Sequence, residues 1–176
     1  NSVVNQTNDS ITKSVVQNFT LYNLGVGSYN WSINCSDEGN NVGASEVRGF
    51  SIIKKTYFSG NTTDLTTVDI SNISNLVIDN PGFGEINFTE SIDLSSGVDI
   101  DEYVNISQNY IEINSSALSV LNYSARLKLY NLSFVTPQLL RDGELCDSTI
   151  CVQESYTNNI LTFTVSGFSI YSVRET

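Results

Sequence analysis

Tyr123-Ser124-Ala125-Arg126-Leu127-Lys128-Leu129 alternates apolar and polar residues without a fault. A period of two puts Tyr123, Ala125, Leu127 and Leu129 on one face of an extended chain, with Ser124, Arg126 and Lys128 on the other. Leu161-Thr162-Phe163-Thr164-Val165 repeats the pattern until Gly167 breaks it before Phe168-Ser169-Ile170. In Tyr29-Asn30-Trp31-Ser32-Ile33-Asn34-Cys35 the same logic expects a half-buried strand. Tyr29, Trp31, Ile33 and Cys35 form its apolar face, and Asn30, Ser32 and Asn34 point outward. Turn signals separate such runs: Gly25 and Gly27, Glu38-Gly39-Asn40-Asn41, Asn80-Pro81-Gly82, Ser95-Ser96-Gly97, Asp142-Gly143 and Asn158-Asn159. No stretch carries helical spacing, and only Ser115 to Asn122 leaves room for a single turn. Short alternating runs between turns predict an all-β fold of antiparallel sandwiches.

The polar faces carry a second pattern. Asn-x-Ser/Thr acceptor triplets begin at Asn5, Asn8, Asn18, Asn30, Asn34, Asn61, Asn72, Asn87, Asn105, Asn114, Asn122 and Asn131. With 21 Asn and 40 Ser plus Thr in 176 residues, chance supplies roughly five of them. Such a triplet accepts a glycan only on an exported chain and at a solvent-facing position. Asn30 and Asn34 fall opposite Trp31 and Ile33. Asn87 falls opposite Ile86 and Phe88, Asn105 opposite Val104 and Ile106, and Asn114 opposite Ile111 and Ile113, while Asn122 shares the side of Arg126 and Lys128. The expectation is a glycoprotein, extracellular and at the cell surface.

A formal net charge of −11, with eight basic residues scattered along the chain, excludes the cationic face that nucleic acid requires. Anionic lipid is disfavoured for the same reason. No start Met, signal peptide or apolar run of membrane-spanning length is present, which reads as a mature product or a piece of something longer. Of three cysteines, Cys146 and Cys151 bracket a four-residue turn and suit a small disulfide loop. Zinc is the competing use, but without His or a second Cys pair four ligands cannot be found. Cys35 is left over, either a buried thiol or one whose partner lies on a segment outside the chain.

Catalytic chemistry is sparse. Without His the usual general base near neutrality is missing, and no nucleophile elbow, Ser-x-x-Lys pair or phosphate-binding glycine loop occurs. Asp93, Asp99, Asp101 and Glu102 read as a solvated loop. Asp99, Asp101 and Glu102 are also hard oxygen donors with calcium as their candidate ion, although EF-hand spacing is lacking. No other cofactor is expected, and a glycosidase pair would require two carboxylates facing across a cleft. A self-formed isopeptide crosslink needs a Lys, an Asn or Asp and an acid together in a dry core. Alternation sends Lys128 to the polar face, and Lys54 and Lys55 sit at a boundary, so none is expected.

Leu24-Gly25-Val26-Gly27-Ser28-Tyr29-Asn30-Trp31-Ser32-Ile33-Asn34-Cys35-Ser36-Asp37, followed by Glu38-Gly39-Asn40, resembles the turn, penultimate strand and final turn of immunoglobulin-like modules in archaeal cell-surface proteins, S-layer-like or adhesin-like. That likeness covers about residues 8 to 54. An intact module has about seven strands in ~100 residues, and only three or four find room here, so residues 1–54 read as the C-terminal portion of a module lacking its early strands. Residues 55–176 read as a second β-sandwich. Ile92-Asp93-Leu94-Ser95-Ser96-Gly97, Tyr110-Ile111-Glu112-Ile113-Asn114, Leu140-Arg141-Asp142-Gly143, the Cys146 and Cys151 pair and Phe163 to Ser172 resemble a module that follows such repeats. Lys54 to Asp64 is the expected linker. The resemblance implies a non-enzymatic structural part of a surface protein whose partners are further copies or neighbouring modules. Strand exchange would complete the first module and make the chain a filament subunit. The alternative is a glycan-binding or adhesion sandwich, with Tyr103, Tyr110, Tyr130 and Tyr171 as its candidate aromatic platform.

Overall fold

Asn80-Pro81-Gly82-Phe83 closes the first hairpin of the main body, with the Phe83 amide donating to the Asn80 carbonyl at 2.8 Å. The computed structural model describes residues 6–176, so the Asn5 acceptor lies outside the described residues. The strands before this hairpin are β1 (Gly27–Trp31), β2 (Asn34–Ser36), β3 (Val42–Ala44) and β4 (Arg48–Ile52). The hairpin joins β5 (Val77–Asn80) to β6 (Gly84–Phe88). A one-turn helix α1 (Ile100–Tyr103) leads into β7 (Val104–Ser107) and β8 (Tyr110–Ile113). A 3-10 turn at Ser119–Leu121, inside the stretch with room for one, precedes β9 (Ala125–Leu129). The remaining strands are β10 (Pro137–Arg141), β11 (Glu144–Leu145), β12 (Cys151–Thr157), β13 (Ile160–Val165) and β14 (Ile170–Glu175).

Strands β5 to β14 form an antiparallel sandwich of two five-stranded sheets, ordered β11-β10-β14-β8-β7 and β12-β13-β9-β6-β5. Alternation builds its core. Ile78, Ile86, Leu127 and Phe163 are successive register partners across β5, β6, β9 and β13, and all four are fully buried. Ile106, Ile111 and Tyr171 form the matching row on the facing sheet. Each large side chain so buried contributes about 1.5–3 kcal/mol. Two hairpins turn on paired residues of positive φ, Asp142-Gly143 at 53° and 85° and Asn158-Asn159 at 52° and 63°, the twist that two-residue loops between antiparallel strands require.

Both lateral edges of the sandwich are stitched. At one, the Asn80 side chain donates to the Ile106 carbonyl at 2.9 Å and ties β5 to β7. At the other, Cys146 and Cys151 are disulfide-bonded with Cα atoms 6.0 Å apart. Because β11 and β12 are edge strands of different sheets, this short bridge joins the two layers.

Residues 54–64 do not behave as the expected linker. From Phe58, which is buried, the chain lies along the open edge of β5. The Ser59 amide donates to the Asp79 carbonyl and the Thr63 amide to the Val77 carbonyl, both at 3.0 Å. The Thr62 and Thr63 hydroxyls accept from the Asp79 and Val77 amides. This strap satisfies backbone groups that a sheet edge leaves open. Polar composition suggested a linker because side-chain oxygens make half of these bonds.

Residues 27–52 are built differently. Among the described residues, strand β1 pairs only with β4, and β2 only with β3, as two separate two-stranded ladders. The expected seven-residue strand breaks at Ser32-Ile33. Here Ile33 exchanges bonds with Ser45, its amide donating to the hydroxyl at 2.9 Å and its carbonyl accepting from the amide at 2.8 Å. Trp31, Ile33 and Cys35 are therefore exposed rather than half-buried, because among the described residues no second sheet covers their face. Trp31 retains 39% exposure, with the Arg48 guanidinium 5.9 Å from its ring centre, and Phe50 retains 40%. Tyr29 is half-buried, stacks on Phe50 at 5.4 Å and donates its hydroxyl to the Gly25 carbonyl at 2.8 Å. The sandwich repeats that bond: Tyr171 donates to the carbonyl of Gly167, also four residues upstream, at 2.5 Å.

Candidate functional site

The acceptor asparagines are the first candidates. Asn8, Asn18, Asn30 and Asn34 are exposed, as is nearly every residue from 6 to 51, so their exposure discriminates little. In the sandwich it discriminates more. Asn61, Asn72, Asn105, Asn114, Asn122 and Asn131 are exposed, and Asn87 is half-buried. Asn87 sits between the fully buried Ile86 and Phe88, and Asn105 between buried Val104 and Ile106, each on the outward side of its strand. Several amides also hold turns. The Asn122 carboxamide oxygen accepts from the Phe168 amide at 2.8 Å, and that of Asn114 from the Ala117 amide at 3.2 Å. Asn131, at φ 53°, donates to the Gly82 carbonyl at 3.0 Å.

The acids with calcium as their candidate ion serve other partners. Asp99 caps α1 by accepting from the Asp101 amide at 3.2 Å, and its other oxygen meets the Lys54 ammonium at 2.6 Å. Asp101 accepts from the Thr56 hydroxyl and, at 3.2 Å, from the Tyr57 amide. Asp101 and Glu102 thus occupy the first turn of a helix, where its dipole favours negative charge. The turn escaped sequence reading because four residues carry no periodicity. Among the described residues no group of three His, Cys, Asp or Glu is placed to hold a metal.

The four tyrosines do not share a platform. Tyr171 is fully buried in the core. Tyr110 is half-buried on β8, where its hydroxyl donates to Glu112 at 2.7 Å; burial and that bond push the phenol up to about 12. Tyr103 belongs to α1, and Tyr130 follows β9 in the other sheet. Cys35, expected buried or paired elsewhere, is an exposed free thiol in β2.

A polar row on the outer face of the second sheet was not anticipated. Asp79, Glu85, Lys128 and Thr162 are successive register partners across β5, β6, β9 and β13, on the side opposite the Ile78 and Leu127 row. Lys128 does point away from the core, as alternation requires, yet its acidic neighbours on that face are not wet. Asp79 and Glu85 keep only 3% and 4% exposure. The strap covers them, with Gly60 at φ 61° packed so closely that a Cβ there would collide with the Asp79 carboxylate. Lys128 meets Glu85 Oε1 at 2.6 Å, Asn61 Nδ2 donates to Glu85 Oε2 at 3.2 Å, and the Asn61 amide donates to Asp79 Oδ2 at 2.8 Å. Asp79 Oδ1 is buried without a partner. Burial, then the negative charges of Glu85 and Asp79, hold the Tyr130 phenol well above its usual range. The sequence signal was Glu85 and Asp79, each next to a core isoleucine within a strand.

No family model matches the chain, and no curated protein matches it. Among solved structures it is similar to the C-terminal domain of nuclear pore complex component NUP116 from Candida glabrata, at 22% identity and a TM-score of 0.42. The match covers 66% of this chain and 93% of that one. A likeness of that degree carries no functional argument.

Proposed function

We propose that this chain is a non-enzymatic structural module of a glycosylated, extracellular archaeal surface protein. The observation that carries the reading is the placement of acceptor asparagines in the sandwich, where burial is selective. Six of its seven are exposed, and the two that lie within strands, Asn87 and Asn105, sit on the outward side between neighbours that fill the core. The Cys146–Cys151 bridge agrees with an oxidising compartment. In this reading two stitched, hydrogen-bonded layers bear load, and acids and sugars keep neighbouring modules soluble.

The module is also a filament subunit that completes its first part by strand exchange. Two-stranded ladders leave open edges that recruit strands, and the exposed rings of Trp31 and Phe50 give an added strand something to cover. Labelling intact cells of the native host with a membrane-impermeant amine reagent tests the location. Modification of the chain before lysis is expected; labelling only after lysis would overturn the reading.

A further inference from the structure

Glu85 holds an amine and a carboxamide at the same time. Its side chain is 5% exposed; one oxygen takes the Lys128 ammonium at 2.6 Å and the other the Asn61 carboxamide at 3.2 Å. Three strands fix the amine side, since Glu85 lies in register between Asp79 and Lys128. The strap fixes the carboxamide side, where Asn61 is held by its own amide on Asp79 and by the turn at Gly60. An ion pair alone would explain Lys128 and Glu85. It leaves unexplained why Asn61 is anchored at two points, its backbone amide on buried Asp79 and its carboxamide on buried Glu85.

We propose that Lys128 and Asn61 join through a side-chain amide, with Glu85 carrying the protons. Glu85 first takes one proton from the Lys128 ammonium, the freed Nζ lone pair attacks Asn61 Cγ, and the Nζ–Cγ bond forms. Two of the three Nζ protons pass through Glu85 to Nδ2, the Cγ–Nδ2 bond breaks, and the nitrogen leaves as ammonium. Glu85 ends as the carboxylate it began, and no oxidant or co-reactant is consumed. Burial of Glu85 keeps the proton relay between Nζ and Nδ2 out of bulk water. The product clips the strap to β9, the middle strand of its sheet, and so closes the β5 edge covalently.

Asn61 also opens the triplet Asn61-Thr62-Thr63. A glycan occupies the same Nδ2 that must depart, so the amide and the sugar exclude each other at this one position.

The test uses the whole chain made in a host that does not glycosylate, reduced and weighed intact, then digested. The wild type is expected to weigh one ammonia less than its sequence and to give a branched peptide joining Lys128 to Asn61. Glu85→Gln and Lys128→Arg are expected at full sequence mass. A wild type at full mass, with linear peptides over both residues, would overturn the proposal whether or not the variants fold. So would an ammonia loss traced to a succinimide at Asn61 in a linear peptide. A water loss with Lys128 branched to Asp79 would overturn the assignment of Asn61 as the acyl partner.

Discussion

Asn158, Asn159, Asp142 and Gly143 show what single residues contribute, for each holds a positive φ that lets a strand reverse in two residues. These positions were legible because Asn, Asp and Gly are the types that tolerate the left-handed region. The disulfide was legible for a similar reason, since its spacing matches its geometry. Non-reducing peptide mapping is expected to find Cys146 joined to Cys151, and replacing both by Ser should cost about 2 kcal/mol without preventing folding, as suits so small a loop. Two free thiols in protein prepared without reductant would contradict the pairing. Tyr110 gives a pH-dependent readout. Its folded value is raised from 10.0 to about 12, chiefly by burial. The stability it contributes is therefore complete below pH 10.0 and is lost as pH rises through about 12. Urea unfolding of wild type and Tyr110→Phe over that interval should show the wild type losing more; parallel curves would contradict the shift.

Elements were legible where one face met the core and the other met water. Tyr123-Ser124-Ala125-Arg126-Leu127-Lys128-Leu129 alternates, and β9 occupies Ala125–Leu129, with Ala125, Leu127 and Leu129 fully buried. Tyr123, which shares the pattern, lies outside the strand and is exposed. Strand β5 was not legible, because Leu76, Val77 and Ile78 run apolar without alternation, and the polar Asp79 that follows is buried as well. The strap was hidden too: what Asp64 and its neighbours cover depends on a sheet edge that forms only with the fold. Strand spacing supplies the sharpest test at this scale. A Cβ on Gly84 would stand 2.5 Å from the Lys128 carbonyl and 3.3 Å from Ile106. Gly84→Ala forces β6 away from β9 or the facing sheet, and should destabilise by about 1–3 kcal/mol in chemical denaturation. An unchanged midpoint would show that the sheets are looser there than described.

At the scale of the whole molecule, every member of the core cluster lies between Phe58 and Val173, and none comes from residues 6–53. Residues 55–176 alone should therefore unfold cooperatively at nearly the midpoint of the full chain, as followed by circular dichroism. Loss of that transition would make the first segment a part of the core. The full chain should form long polymers in sedimentation at high concentration if open ladders exchange strands, whereas a compact monomer at all concentrations would remove the filament reading and leave the sandwich untouched. The length of the first segment left room for only three or four strands, but the break at Ser32-Ile33 was beyond the sequence, since alternation runs straight through. The central claim is that the outward asparagines carry sugar at a cell surface. Intact glycopeptide analysis of protein purified from its own host tests it most directly. Glycans are expected on most of Asn30, Asn34, Asn87, Asn105 and Asn114, and unmodified peptides at all five would contradict the account.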